Sequence, residues 1–216
     1  MAVSGIIMAG YLLIHMYGNL KIFMGQEMFD SYLEGLRSIG YPYLPHGGAL
    51  WILRVLLTVS VLLHMQSAFS LWRRNRKAAA VNGMKRYESS KAPWGVQRSY
   101  ASFTMRWGGV TLALFIVYHL LHFTAMKVQP GGATDSKYEA MVNSFGLWYV
   151  TLGYTIAVVA VALHLRHGVW SALTTLGQNK SEKRRKQLNI LAITVSALIG
   201  IGFLIPPYAI HFGLVS

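Results

Sequence analysis

The chain contains no cysteine. It can therefore form no disulfide, supply no thiolate to an iron–sulfur cluster or a P450-type haem, and offer no C-x-x-C-H attachment for covalent haem. Any redox centre it holds must be ligated by His or Met. Charge is scarce as well, at 12% of the residues, and one sign is nearly missing, with seven acids against twenty lysines and arginines. In place of charge stand apolar residues, 54% of the 216, in long uninterrupted runs rather than amphipathic stripes. This composition describes a polytopic membrane protein, an all-α integral bundle forming a single transmembrane domain over residues 1–216.

The first apolar run opens at Met1-Ala-Val-Ser-Gly-Ile-Ile with no positively charged n-region and no small-residue cleavage site behind it. It reads as a span and not as a signal peptide. A span without a hydrophilic leader leaves two readings, a natural N-terminus further upstream or a late start.

Five runs are long enough to cross about 30 Å of hydrocarbon as helices of roughly 20 residues, near 2–24, 49–72, 105–126, 147–173 and 188–213. The connection 25–48 carries three acids, two prolines and several glycines, so it is expected to be a loop, with a short helix around Met28–Ser38. Connection 127–146 is similar in kind.

The other two connections are basic. Residues 73–106 contain Arg73, Arg74, Arg76, Lys77, Lys85, Arg86, Lys91, Arg98 and Arg106, and 177–187 contains Lys180, Lys183, Arg184, Arg185 and Lys186. With Arg166 near the end of the fourth span, fifteen basic residues face only Glu88 and Glu182 on this side, which accounts for the whole net charge of +13. The opposite side is balanced, Lys21, Arg37, Arg54, Lys127 and Lys137 against Glu27, Asp30, Glu34, Asp135 and Glu139. Under the positive-inside rule the basic loops are cytoplasmic, so the N-terminus lies inside and the C-terminus outside. The basic face reads as topology, attraction to anionic lipid and a docking surface for a soluble partner. No nucleic-acid partner is expected of loops that flank membrane spans.

Inside the spans the polar exceptions are histidines: His15 in Leu-Ile-His-Met, His64 in Leu-Leu-His-Met, His119 in Tyr-His-Leu-Leu-His-Phe and His164 in Leu-His-Leu. An ionisable ring at membrane depth is costly and is a functional candidate by default. At about 1.5 Å of rise per residue, His15 and His119 sit roughly 9–12 Å inside the outer boundary, and His64 and His164 sit in the inner half. Two imidazoles from spans 1 and 3 thus share an outer layer, and two from spans 2 and 4 an inner one. Two bis-histidine sites stacked across the membrane suit haem b, which takes a neutral imidazole on each iron face and needs no covalent link. Zinc suits the pattern poorly, because a structural zinc site gathers four ligands at one place. Gly10, Gly18, Gly108, Gly109, Gly153 and Gly168 are candidates for the bare surfaces a porphyrin needs. His122 and His167 lie one turn beyond His119 and His164, on nearly the same faces. Each is a candidate for supporting contacts or for replacing its neighbour as ligand. His46 and His211 read as solvent or interfacial histidines.

Taken together, Leu-Ile-His-Met-Tyr-Gly-Asn-Leu-Lys (13–21), Leu-Leu-His (62–64), Met-Arg-Trp-Gly-Gly (105–109) with Tyr-His-Leu-Leu-His-Phe (118–123), and His-Leu-Arg-His-Gly-Val-Trp-Ser (164–171) resemble the single-chain cytochrome b membrane anchor of succinate:quinone oxidoreductase, the succinate dehydrogenase and fumarate reductase family. The resemblance runs over essentially the whole chain. It implies two haems b, with His64 and His164 ligating the iron nearer the cytoplasm and His15 and His119 the outer one; Arg106 joins His122 and His167 as a candidate for supporting contacts. It implies flavoprotein and iron–sulfur partner subunits on the cytoplasmic face of the cell inner membrane. The implied acceptor is a quinone, most often menaquinone in the two-haem form, with ubiquinone the alternative.

A quinone reduced beside the outer haem needs a route from lipid, a hydrogen-bond donor and a group that delivers protons. Asn19 and Lys21, just past His15, and the nearby acids Glu27, Asp30 and Glu34 are the candidates. An inner pocket would instead use Arg98, Arg106 or Trp107. Three other functions remain open at this point: a haem-free anchor with a quinone pocket, an anchor whose histidines share an iron–sulfur cluster with a partner's thiolates, and a proton-conducting transporter. Against the last, the spans lack buried carboxylates and show no inverted repeat or broken-helix pair.

Overall fold

The structure, a computed structural model, describes residues 1–81 and 95–215, with the backbone alone described at 75, 78–81, 95–104 and 106. Lys85, Arg86, Glu88 and Lys91 lie outside the described residues, as do the side chains of Arg98 and Arg106. Among the described residues all regular structure is helical. Helix α1 (Ala2–Leu20) runs into a 3-10 turn, Lys21–Met24, and is followed by α2 (Gln26–Ser38) and α3 (Gly48–Val81). Helix α4 (Gly95–His119) ends in a π turn, Leu120–Thr124; α5 (Lys137–Phe145), α6 (Trp148–Thr175) and α7 (Glu182–His211) complete the chain.

Five helical segments are long and apolar enough to cross a membrane: Ala2–Met24, Gly48–Arg74, Trp107–Thr124, Trp148–Thr175 and Glu182–His211. They follow the five runs expected from the sequence, and the chain is a multi-pass membrane protein. The ends differ where charged residues continue a helix. Helix α3 has 34 residues, about 51 Å at 1.5 Å each, and outruns a hydrocarbon core of about 30 Å. Arg73, Arg74, Arg76 and Lys77 therefore stand on a projecting helix and not in a loop. Arg73 lies over the Phe69 ring at 5.8 Å and Arg76 over Trp72 at 5.1 Å, so each guanidinium rests on an aromatic one turn earlier. The last span likewise starts at Glu182 and not near 188. Ser181 caps it, its hydroxyl accepting from the Arg184 N–H at 3.2 Å, and Glu182 complements the helix N-terminus. The Lys183–Lys186 cluster is the first turn of α7.

In lipid no hydrophobic drive joins one helix to another, so close packing depends on small residues. Helix α7 packs most extensively on α6 and also on α1. A Cβ on Gly200 would meet that of Ala162 at 3.2 Å, and one on Gly202 would collide with the Met16 side chain. Helix α1 packs on α3 and α6, and α4 on α6; among the described residues no comparable packing joins α1 to α4, α3 to α6, or α3 to α4. The four helices α3, α1, α6 and α4 thus enclose a space closed on three sides, with both diagonals held apart.

The tightest apolar core is at the end that carries α2 and α5. Ile22, Phe29, Tyr138, Met141, Phe145, Tyr154 and Ile210 are buried together there. Ser136 caps α5 by accepting from the Glu139 N–H at 3.3 Å. The Lys137 ammonium donates to the carbonyls of Phe123 at 2.6 Å and Thr124 at 3.2 Å, closing the end of the π turn that the helix itself leaves unsatisfied. Burial, and behind it the charges of Arg37 and Arg54, pull the Lys137 ammonium below its ordinary pKa.

The Gly202 contact gives a direct test. Gly202→Leu should overpack the α1/α7 seam at a cost of about 1–3 kcal/mol, lowering the thermal midpoint of the detergent-solubilised protein by several degrees. Gly35→Ala on the exposed face of α2, where a Cβ meets nothing within 4 Å, should not lower it.

Candidate functional site

The four histidines of the sequence argument come together in two pairs, and both pairs lie across the unpacked diagonals. The His15 ring of α1 and the His119 ring of α4 have centres 5.7 Å apart. The His64 ring of α3 and the His164 ring of α6 have centres 6.2 Å apart. Two imidazoles bound to one metal at about 2 Å each put their ring centres about 6 Å apart. Among the described residues no three His, Asp or Glu gather as a metal site. The donor set is two imidazoles per site, which fits a porphyrin that fills the other positions itself and does not fit a tetrahedral metal.

Each ring is steered by its surroundings. His15 stacks on Tyr11, one turn earlier, at 5.3 Å, and meets Phe203 of α7 at 5.6 Å. The His64 Nδ1 lies 3.3 Å from the Ser4 hydroxyl, and that hydroxyl donates to the Met1 carbonyl at 3.0 Å. With its single proton so used, Ser4 accepts from His64 Nδ1–H, which leaves the lone pair on Nε2. Bare helix surface lies beside this pair: a Cβ on Gly5 would sit 3.6 Å from the His64 ring and one on Gly109 4.0 Å from His164, while Gly108 and Gly168 face open space. The His164 Nδ1 is buried with no hydrogen-bond partner among the described residues.

His122 is fully buried, and both of its nitrogens are engaged. Nδ1 is 2.9 Å from the Tyr154 hydroxyl and Nε2 is 2.8 Å from Ser144 Oγ. Its ring stacks on Phe123 at 3.9 Å. In this arrangement neither nitrogen of His122 is left without a protein partner. The same Tyr154 hydroxyl lies 3.5 Å from His119 Nδ1. His167 is half-buried, one turn past His164.

The quinone candidates scatter. The Asn19 amide donates to the His15 carbonyl at 2.8 Å and so stiffens the end of α1. The Lys21 ammonium lies over the Tyr17 ring at 4.7 Å. Glu27, Asp30 and Glu34 occupy the exposed face of α2, on the far side from the buried Phe29, and Glu34 pairs with His46 at 2.8 Å and Arg37 at 3.5 Å. The group that α2 does bring toward α1 is Tyr32, whose hydroxyl closes over Gly18. Burial, reinforced by neighbouring Tyr17, pushes the Tyr32 phenol above its usual pKa, and Lys21 acts in the opposite sense. On the basic side Trp107 is exposed at the start of its span, beside the undescribed Arg106 side chain.

Sequence reasoning missed Ser4, Tyr32, Ser144 and Tyr154. Each reaches the site from a different element, and none stands at helical spacing from the ring it touches, so no local pattern marked it.

No curated protein and no solved structure matches the chain. The family described as succinate dehydrogenase/fumarate reductase transmembrane subunit matches residues 88–201, from the segment before α4 into α7. That stretch is over half of the chain and includes His119, His122, Ser144, Tyr154 and His164. The protein therefore belongs to the succinate dehydrogenase/fumarate reductase transmembrane subunit family.

Proposed function

We propose that this subunit anchors the soluble part of a succinate:quinone oxidoreductase and carries electrons from its iron–sulfur subunit to a membrane quinone by way of two haems b. The observation that carries the reading is the position of the two imidazole pairs across helix diagonals that do not otherwise pack. A bound haem supplies reversible one-electron storage at each site. The chain's own residues do the rest: His15 with His119, and His64 with His164, present neutral imidazoles; Ser4 and Tyr154 orient two of them; and the bare surfaces of Gly5 and Gly109 admit a flat group.

Replacing His64 or His164 with a non-ligating residue should remove one of two haems b and spare the other, and replacing His15 or His119 should do the converse. Pyridine haemochrome analysis of the purified complex reads the stoichiometry. Native protein without haem would sink the proposal and leave the haem-free anchor.

The basic end is the docking face in this reading and lies in the cytoplasm, with the N-terminus inside and the C-terminus outside. The projecting part of α3 and the first turn of α7 carry two dense cationic clusters on that side. Charge reversal across Arg73–Lys77 or Lys183–Lys186 should weaken co-purification of the flavoprotein and iron–sulfur subunits most strongly at low salt, the difference from the parent shrinking as salt screens the charges. Undiminished assembly with both clusters reversed would count against the assignment.

The quinone, menaquinone or ubiquinone, is placed by this proposal at the α2 end, beside His15. Tyr32 over Gly18 supplies a hydroxyl there, Lys21 a cation, and Glu34 with His46 a titratable pair open to water. Electrons delivered to that side cross part of the membrane, so turnover should respond to the potential at about 2.3 kcal/mol per charge per 100 mV. In vesicles carrying the reconstituted complex, Tyr32→Phe and Glu34→Gln should lower quinone reduction while haem content stays constant. A rate indifferent to potential would move the site to the Arg98, Arg106 and Trp107 end.

A further inference from the structure

A buried neutral imidazole has one N–H and one lone pair, and leaving either unmatched is costly. His122 meets both needs, through Tyr154 at 2.9 Å and Ser144 at 2.8 Å. Tyr154 in turn is shared. Its single phenol hydroxyl lies within reach of His122 Nδ1 and, at 3.5 Å, of His119 Nδ1. With one proton it can donate to only one of them and must accept from the other.

Two proton orders are therefore possible. In one, Tyr154 donates to His119, whose own proton is then on Nε2; His122 donates from Nδ1 to Tyr154, and Ser144 donates to His122 Nε2. In the other, every bond reverses: His119 donates from Nδ1 to Tyr154, Tyr154 donates to His122 Nδ1, and His122 donates from Nε2 to Ser144. Only the second leaves His119 with a lone pair on Nε2, the nitrogen free to take a metal. No carboxylate joins this hydrogen-bonded series, and its members beyond His119 are buried: Ser144 at 2% exposure, Tyr154 at 7%, His122 at 0%. The far end of the series is thus closed to water.

We infer that Tyr154, His122 and Ser144 form a directed hydrogen-bond chain that holds His119 in its Nδ1–H tautomer and sets how strongly that imidazole donates to a metal, with Tyr154 and His122 as positioning residues. The inference rests on His119 being a haem ligand. A hydrogen-bond acceptor behind a ligating imidazole orients the ring and raises its basicity. At 3.5 Å the link to His119 is the loosest of the three, and a metal held at Nε2 would draw proton density toward Tyr154 and tighten it. The paired ring, His15, has aromatic neighbours in Tyr11 and Phe203, so steering through Nδ1 acts on the His119 side. Ser4 plays the equivalent part for His64 with a single hydroxyl in place of a chain.

The mechanical support is local. Residues 120–124 form the π turn, which swings His122 off the regular helical register and into the core against Phe123 and Tyr154. A one-residue widening of this kind is common where a helix must present a side chain at an otherwise unreachable angle. Lys137 caps the carbonyls of Phe123 and Thr124, holding the turn open from α5, the same helix that supplies Ser144.

The test uses the assembled holoenzyme and reads spectra and potentials in place of turnover. Tyr154→Phe keeps the buried ring and deletes the hydroxyl. It should raise the potential of the haem held by His15 and His119 by about tenfold in its reduction equilibrium, 59 mV for one electron, because a poorer imidazole donor stabilises the ferric state less. It should also move the low-field EPR feature of that haem, which reports the mutual orientation of its two imidazole planes, and leave the second haem untouched. His122→Gln, which retains an acceptor for Tyr154 and a donor for Ser144, should lie between Tyr154→Phe and the parent. Ser4→Ala should give the reciprocal pattern, with only the His64/His164 haem shifted. Both haems present with both signals unmoved in Tyr154→Phe would overturn the inference while leaving the haem assignment intact. Haem retained in His119→Ala would instead remove the reading on which it stands.

Discussion

The constraint on which the structure turns is the cost of an imidazole in hydrocarbon. Its two nitrogens demand opposite partners, and lipid supplies neither. For one of the eight histidines, His122, the protein provides both partners itself. For His64 and His119 it provides a hydroxyl at Nδ1 and turns the rest of the ring toward another imidazole. The division is the one the haem proposal needs: a histidine with one nitrogen satisfied and its ring beside a second imidazole is placed as a ligand, and a histidine with both nitrogens satisfied is placed as its support.

This demand explains the uneven packing. A bundle stabilised only by its own helices would close its diagonals, yet α1 and α4, and α3 and α6, stay apart while α6 and α7 pack tightly through Gly200, Ala162 and Gly202. Helix α7 carries no paired histidine. It acts as a brace, and its contacts replace those that the histidine-bearing helices forgo. At the α2 end a second brace forms from Phe29, Tyr138, Phe145 and Tyr154, and through Tyr154 this apolar core is mechanically continuous with the ring of His119.

The spans were legible in the sequence because lipid demands about 20 apolar residues and the chain answers with five clean runs. The pairing of His15 with His119 and of His64 with His164 was legible in outline, since alternating helix direction converts position along the chain into depth. The ends of α3 and α7 were not, because Arg73–Lys77 and Lys183–Lys186 are good helix formers that carry a helix into water past the point where hydropathy stops marking it. The acids of α2 looked like neighbours of His15 by chain distance alone; the rotation that buries Phe29 turns Glu27, Asp30 and Glu34 outward and Tyr32 inward. Tyr154, Ser144 and Ser4 were invisible for a different reason. Their partners lie on other helices, and a hydroxyl in an apolar span carries no periodic signal of what it will meet.

The family match and the geometry of the rings stand on different parts of the chain. Residues 88–201 hold His119 and His164 together with the chain behind His119, whereas His15, His64 and Ser4 lie before the matched stretch. Each ring pair therefore has one member inside it and one outside. An unrelated pair of apolar helices in place of α1 and α3 would leave the match intact and destroy both pairs. Membership accordingly speaks for a membrane subunit of an oxidoreductase complex, while the proposal of two haems draws its support from α1 and α3 presenting His15 and His64 at the depths their partners require.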